Sequence, residues 1–253
     1  MTTLVAACCN TPPTQAQWQE QGEYKPLTTI DGYEYKTYRT GPKDSKRGVV
    51  AIYDIFAYHP TGLQFFDSHG GFQVTAPDFF KGNGIPDEVF GNVERLMKWI
   101  GDYADYHKNH IGTLIKAAAD QLRAEGCTTV SVFGQCWGSL MSVLAVSEED
   151  SQFLAAGGPH PSFTTIDAVK NVKAPLILLA SKDEGDMAAV VDSLKSKNFP
   201  VESFHKRFNN MHHGWTGGRG AWAIPEQLEA GLEAVDLLGA YFAKVAQVAE
   251  SKL

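Results

Sequence analysis

The sequence predicts an α/β protein in which a mostly parallel sheet is flanked by helices. Short apolar, β-branched segments alternate with longer segments whose apolar residues recur at helical spacing. Three of the short segments are expected to be buried on both faces, as is typical of parallel strands. The chain has 253 residues, 43% of them hydrophobic, and nothing marks an internal boundary. We therefore predict a single domain over residues 1–253, without a large lid domain.

The predicted strands cover residues 48–53, 72–76, 128–133, 176–180 and 201–208, with a shorter candidate at 153–157. The first, third and fourth are the three segments expected to be buried on both faces. Residues 1–30, which include the segment TPPT, are predicted to be an irregular lead-in.

Three helices are predicted at 110–125, 137–146 and 225–248. The first has an apolar stripe and ends before Gly126, and the last begins with Pro225. The stripe of the first helix consists of Ile111, Leu114, Ile115, Ala118 and Leu122. The stripe of the last consists of Leu228, Leu232, Val235, Leu238 and Phe242. We expect both stripes to face the core.

Charge and apolar patterning limit the classes of partner. The formal net charge is −7, from 22 basic and 29 acidic residues without a run of like charge, so nucleic acid is not an expected partner. The apolar runs are too short to span a membrane, and the first residues lack the basic region of a secretory signal. We expect a small-molecule substrate, and either a monomer or a homodimer fits the sequence.

The four cysteines and the last three residues bear on the compartment. Cys8, Cys9, Cys127 and Cys136 form neither a disulfide framework nor a CxxC pair, so reduced thiols inside a cell are expected. The final residues 251–253 spell SKL, the tripeptide that the peroxisomal import receptor reads at a free C-terminus. We therefore expect a peroxisomal location, and a cytoplasmic one if the tripeptide is not read.

The segment GQCWG, residues 134–138, carries the strongest chemical signal. It lies between a predicted strand and a predicted helix, which is the context of a nucleophile elbow, with Cys136 in the position that is usually serine. A helix N-terminus stabilises a thiolate, and the backbone N–H of Trp137 would hold an oxyanion. The alternative is that Cys136 is an ordinary buried thiol.

An acid and a base are expected further along the chain, in that order. Asp183 follows the strand at 176–180 and is preferred as the acid over Asp186, while His213 follows the strand at 201–208. We prefer His213 to its neighbour His212 because the glycine after it permits a tight turn. His107 and His110 lack a nearby ligand motif, so no metal site is expected.

Four separated motifs make the chain resemble the dienelactone hydrolase family of α/β-hydrolases, as a eukaryotic, fungal-type member. They are AIYDIF at 51–56, GQCWG at 134–138, SKDE at 181–184 and HGW at 213–215. The resemblance runs over most of the chain. It implies an α/β-hydrolase fold and a hydrolase of esters or lactones that uses neither a metal nor another cofactor.

The resemblance also implies residue roles. It assigns the catalytic triad to Cys136, His213 and Asp183, and it implies that Asp54 helps to ionise the cysteine. The backbone N–H of Ile55 would complete the oxyanion hole.

Two further residues are expected near the substrate. Arg219 would clamp a substrate carboxylate, as an arginine does in relatives. His160 follows the short candidate strand and either lines the pocket or is a hydrogen-bonded structural histidine.

Two other functions fit the same residues. The thiolate of Cys136 would equally serve a carbon–carbon cleavage, a cyclisation or an isomerisation, because one fold hosts many reactions. The chain would otherwise be a ligand-binding protein that retains an idle triad.

Overall fold

The computed structural model describes residues 11–29 and 32–251. Cys8 and Cys9 lie outside the described residues, as do Lys252 and Leu253 of the C-terminal tripeptide. The expectations attached to them therefore stay predictions.

In the described part of the chain, eight strands form the central layer. They are β1 (Glu23–Thr28), β2 (Glu34–Thr40), β3 (Arg47–Ile52), β4 (Gln73–Pro77), β5 (Thr129–Gly134), β6 (Ala156–Pro159), β7 (Leu176–Ser181) and β8 (Phe204–Phe208). One ladder has the order β1-β2-β4-β3-β5 and a second has the order β6-β7-β8. The ladders are joined by backbone hydrogen bonds from Val132 to Ala155, 3.1 Å, and from Leu154 to Val130, 3.0 Å. Only the β1–β2 and β2–β4 pairings within the ladders are antiparallel.

Within residues 11–29 and 32–251, seven α-helices cover or connect the strands. They are α1 (Pro60–Asp67), α2 (Val93–Tyr103), α3 (Ile111–Ala124), α4 (Trp137–Ala145), α5 (Ile166–Val169), α6 (Met187–Asp192) and α7 (Pro225–Glu250), with short 3-10 turns at Asp87–Val89 and Lys195–Lys197. No helix among residues 11–29 and 32–251 is long and apolar enough to cross a membrane.

The predicted core is confirmed with one exception. Strands β5 and β7 are buried along their whole length and β3 from its second residue, and the whole apolar stripe of α3 is buried. On α7, however, Leu232 is 42% exposed while Leu238 is 0% exposed. Six residues at 3.6 per turn place these two leucines about 120° apart around the helix axis, so they do not share one face.

The predicted lead-in needs a correction because residues 23–28 form the edge strand β1. Five of its six residues are not buried, and it contains Pro26, which an edge strand tolerates. A strand with one neighbour and little burial lacks the apolar pattern that identifies a central strand. At the other end of the sheet, β8 begins at Phe204 and is shorter than the predicted 201–208.

The unequal burial of the two α7 leucines generates a stability prediction. Leu238→Ala is expected to lower the free energy of unfolding by about 2–5 kcal/mol, because it leaves a cavity in the core. Leu232→Ala on the same helix is the matched control and should change it by about 0.5 kcal/mol or less. Urea denaturation followed by circular dichroism measures both, and equal losses would contradict the assignment of the buried face.

Candidate active site

A strained turn holds Cys136 between β5 and α4. Its φ is 55° and its ψ is −117°, which is unfavourable for a residue with a side chain. A Cβ atom at Gly134 would lie 2.0 Å from the carbonyl of Gly138, and one at Gly138 would lie 2.7 Å from the carbonyl oxygen of Ile52. The strand–turn–helix geometry predicted for this segment is therefore present, and both glycines are required by close contact.

His213 and Ser162 contact the sulfur of Cys136. The Nε2 atom of His213 lies 3.2 Å from Sγ, and the hydroxyl oxygen of Ser162 lies 3.3 Å from it. Ser162 also donates its backbone N–H to the carbonyl of Cys136, 3.1 Å. Sequence reasoning missed Ser162 because a serine in a loop carries no signal of its own. Its nearness to His160 in the segment GPHPS is the only hint that the sequence offers.

The acid at the imidazole is Glu184, where the sequence predicted Asp183. The Nδ1 atom of His213 lies 2.7 Å from Oε1 of Glu184, and both side chains are buried. Asp183 instead accepts the backbone N–H of His213, 2.7 Å, and Asp186 caps α6. The turn after β7 folds Glu184 back so that its carboxylate also accepts the N–H and hydroxyl of Ser181. Spacing along the sequence does not reveal this reversal of the four-residue turn, which brings Glu184 to the imidazole.

Of the two amides predicted for an oxyanion hole, that of Ile55 lies in the loop after β3 and that of Trp137 belongs to the first residue of α4. Ile52, at the end of β3, accepts the backbone N–H of Gln135, 2.9 Å, so the β3 loop runs beside the elbow. Within the described part of the chain, neither Ile55 nor Trp137 donates its backbone N–H to a hydrogen bond. Two unused donors next to a nucleophile are suited to stabilise a developing negative charge.

Asp54 connects the β3 loop to the loop after β8. Its carboxylate accepts the backbone N–H of Phe56, 2.9 Å, and that of Gly218, 2.7 Å, while a Cβ atom at Gly217 would lie 2.2 Å from it. Burial raises the pKa of Asp54, and the two backbone hydrogen bonds offset part of that rise. Among the described residues, no hydrogen bond joins Asp54 to Cys136, so its predicted part in ionising the thiol stays a prediction.

Arg219 lies beside the base, at the margin of the site. A Cβ atom at Gly214, whose φ is 90°, would lie 2.9–3.2 Å from the side-chain carbons of Arg219. The arginine side chain therefore runs across the glycine that follows His213. Its predicted contact with a substrate carboxylate stays a prediction.

His160 is fully buried next to the base. Its ring centre lies 5.0 Å from that of His213, and its Nδ1 atom lies 3.3 Å from the hydroxyl oxygen of Thr216. Burial, followed by the nearby His213, lowers the pKa of His160 well below its usual value, so the imidazole is neutral. His160 is therefore a buried, hydrogen-bonded histidine beside the base, and its predicted place in the substrate pocket stays a prediction.

No cluster of three or more metal-ligating side chains occurs among the residues that the structure describes. The polar groups near Cys136 instead form a chain of hydrogen bonds from sulfur through imidazole to carboxylate. Such a chain can remove a proton from the thiol and stabilise the imidazolium that results.

Comparison with known proteins finds one matching family model and several similar proteins. The model of the dienelactone hydrolase family matches residues 35–237. An uncharacterized AIM2 family protein of Schizosaccharomyces pombe is 28% identical over 233 residues, which cover 87% of this chain and 91% of that protein. Hydrolase tropI of Talaromyces stipitatus is 24% identical over 190 residues, or 71% of this chain and 68% of that one.

Solved structures share the fold. Dienelactone hydrolase from Anabaena variabilis has a TM-score of 0.55 at 14% identity, covering 85% of this chain and 97% of that one. Pyrococcus horikoshii acylaminoacyl peptidase has a TM-score of 0.58 at 15% identity, covering 88% of this chain but 41% of the peptidase. The predicted α/β-hydrolase fold is thereby confirmed.

The different positions of Glu184 and Asp183 generate a prediction about thiol reactivity. Glu184→Gln is expected to slow alkylation of Cys136 by iodoacetamide at neutral pH by about tenfold or more, because the imidazolium loses its charged partner. Peptide mass spectrometry isolates this cysteine from the others. Asp186→Asn, which alters only a helix cap, is the control and should react at the parent rate.

Asp183→Asn separates the two acids. Among the described residues, Asp183 contacts His213 through the backbone N–H. This variant should therefore keep the rate of Cys136 alkylation within about threefold of the parent rate. A larger loss for Asp183→Asn than for Glu184→Gln would contradict the assignment of Glu184 to the imidazole.

Proposed function

The chain belongs to the dienelactone hydrolase family, and from this premise we propose that it is a cysteine-dependent hydrolase. Its substrate is a lactone or ester of a small molecule, cleaved through a covalent acyl-enzyme. One observation carries the proposal: the sulfur of Cys136, the imidazole of His213 and the carboxylate of Glu184 form a continuous buried chain with contacts of 3.2 and 2.7 Å. The hydrolases among its relatives support the reaction class.

Acylation begins when His213 takes the thiol proton at Nε2 and the sulfur of Cys136 attacks the carbonyl carbon. Glu184 holds the proton on Nδ1 and stabilises the imidazolium. The carbonyl oxygen becomes negatively charged, and the backbone N–H groups of Ile55 and Trp137 stabilise it. The carbon–oxygen bond then breaks, and the leaving oxygen takes the proton from Nε2. In a lactone the resulting alcohol stays attached to the acyl group.

Hydrolysis of the thioester completes the cycle. A water molecule gives a proton to Nε2 of His213 while its oxygen bonds to the acyl carbon. The carbon–sulfur bond breaks, the electron pair returns to Cys136, and the product leaves as a carboxylic acid. The thiolate and imidazolium that remain are the reactive state for the next substrate.

The surroundings of the triad favour a compact substrate that carries an aromatic ring or a carboxylate. The sulfur belongs to a residue that is only 4% exposed, so the reactive carbonyl must enter a narrow space. Arg219 runs along Gly214 at the margin and would pair with a carboxylate on the part of the substrate that stays outside. Phe56 donates its backbone N–H to Asp54, and its ring stacks on that of Phe90 with ring centres 5.9 Å apart; this pair would contact a ring of the substrate.

Removal of the sulfur tests the assignment of the nucleophile. Cys136→Ala should abolish turnover of p-nitrophenyl acetate and of a simple aromatic lactone, a loss of about a thousandfold or more, because no other group can form the acyl-enzyme. Cys127→Ala is the matched control, since Cys127 is also buried but its sulfur lies 3.6 Å from the backbone carbonyl of Ser45, away from the imidazole of His213. Unchanged turnover in Cys136→Ala would overturn the proposal.

Isotope labelling distinguishes hydrolysis from other thiolate chemistry. When the lactone is turned over in water enriched in oxygen-18, mass spectrometry should find one labelled oxygen in the product carboxylate. A cyclisation or isomerisation incorporates none. A product without the label would contradict the hydrolase and favour the alternative reaction classes.

A further inference from the structure

The loop after β6 holds His160 in a strained conformation next to the nucleophile elbow, residues 134–138. The φ of His160 is 40°, a left-handed value that a residue with a side chain adopts at a cost. Its backbone N–H is fixed by the carbonyl of Leu179, 2.7 Å. A Cβ atom at Gly158 would lie 1.9 Å from the carbonyl oxygen of Gly134, so this loop cannot move away from the nucleophile turn without losing its packing.

The hydrogen bonds around His160 determine which ring nitrogen carries the proton. The side-chain amide nitrogen of Gln135 donates to the backbone carbonyl of Thr216, 2.6 Å, which fixes the orientation of the amide. The same nitrogen donates to the hydroxyl oxygen of Thr216, 3.2 Å. Among the described residues, the only acceptor left for the hydroxyl proton is Nδ1 of His160, 3.3 Å away. Nδ1 therefore accepts, and Nε2 carries the hydrogen.

The opposite tautomer is disfavoured. If Nδ1 carried the hydrogen, the hydroxyl proton of Thr216 would have no acceptor and Nε2 of His160 would have no donor. Two buried polar groups would then be unsatisfied instead of one. The neutral tautomer with hydrogen on Nε2 is therefore the better description of His160.

The Nε2–H group of His160 has no hydrogen-bond partner in the described part of the chain, although the residue is 0% exposed. An unpaired nitrogen is not by itself a site, because Nε2 of His69 is also buried and unpaired. His69, however, packs against Phe65 and Phe133, with ring centres 5.2 and 4.9 Å away. The ring of His160 instead lies 5.0 Å from that of His213, whose Nε2 must receive the proton of the attacking water.

We propose that the Nε2–H of His160 donates a hydrogen bond to the oxygen of the water that hydrolyses the acyl-enzyme. This inference rests on the proposed function. One hydrogen of that water points to Nε2 of His213, and the remaining lone pair faces the acyl carbon. During attack, the proton moves to His213, the new carbon–oxygen bond forms, and the carbon–sulfur bond then breaks with its electron pair returning to Cys136. His160 stays neutral and holds the water without exchanging a proton.

Pre-steady-state kinetics with p-nitrophenyl acetate test the proposal, because release of p-nitrophenol reports acylation as a burst and deacylation as the following steady phase. His160→Phe should keep a burst of one p-nitrophenol per protein, with a rate within about threefold of the parent. The steady phase should slow by about 10–100-fold, and the acyl-enzyme should accumulate in mass spectra. His160→Gln, whose amide nitrogen can replace the Nε2 donor, should recover most of the steady rate.

His69→Phe is the matched control, since it removes a fully buried imidazole with an unpaired Nε2 from the apolar core. Both kinetic phases should be unchanged in it. If His160→Phe does not fold, Thr216→Val takes its place, because it removes the hydroxyl that sets the tautomer. It should slow the steady phase selectively.

A steady phase at the parent rate in His160→Phe or in Thr216→Val overturns the proposal. So does a burst that slows as much as the steady phase, because His160 would then serve acylation. Nitrogen-15 NMR spectra of the imidazoles test the tautomer independently. His160 should carry its hydrogen on Nε2 at neutral pH. A hydrogen on Nδ1 overturns the inference. If the parent protein shows no burst and no acyl-enzyme, the proposed function itself fails, whatever the tautomer.

Discussion

The contact between Gly134 and Gly138 is the constraint on which the site depends. Because the carbonyl of Gly138 occupies the place that a side chain at position 134 would need, the chain reverses within four residues at the end of β5. The reversal forces Cys136 into a conformation that is unfavourable for any residue with a Cβ atom. Surrounding hydrogen bonds hold it there, among them those from Gln135 to Ile52 and from Ser162 to Cys136.

Of the carboxylates around this turn, one contacts a side chain and the others contact the backbone. Glu184 contacts the imidazole of His213, whereas Asp183 holds the backbone of the same residue. Asp54 holds the backbone of two loops, at Phe56 and Gly218. These acids fix the loops through the N–H groups that they accept, and they leave Nε2 of His213 for its contact with Cys136.

Neutral polar groups form the other half of the site. Gln135, Thr216 and His160 make a buried chain that orients a ring next to the base without adding charge. In a region of low dielectric constant a second imidazolium would repel the first, so neutrality of His160 keeps His213 able to accept a proton. Ser162 has a related role, because its hydroxyl can accept from a thiol or donate to a thiolate.

The sequence was sufficient to predict the fold class, the buried strands β3, β5 and β7, and the turn around Cys136. These features follow from local patterns: continuous apolar runs mark strands buried on both faces, and small residues around a nucleophile mark a sharp turn. It also located the loop that holds His213, because carboxyl ends of parallel strands share one edge of the sheet.

The folded structure was needed to identify the acid at the imidazole, since Asp183 and Glu184 are neighbours and a four-residue turn selects between them. It alone identified Ser162, which comes from a different loop, and the face of α7 that excludes Leu232. It alone revealed β1, because edge strands carry little of the apolar signal. Each of these depends on the direction of a side chain or on a partner distant in sequence, and spacing along a chain encodes neither.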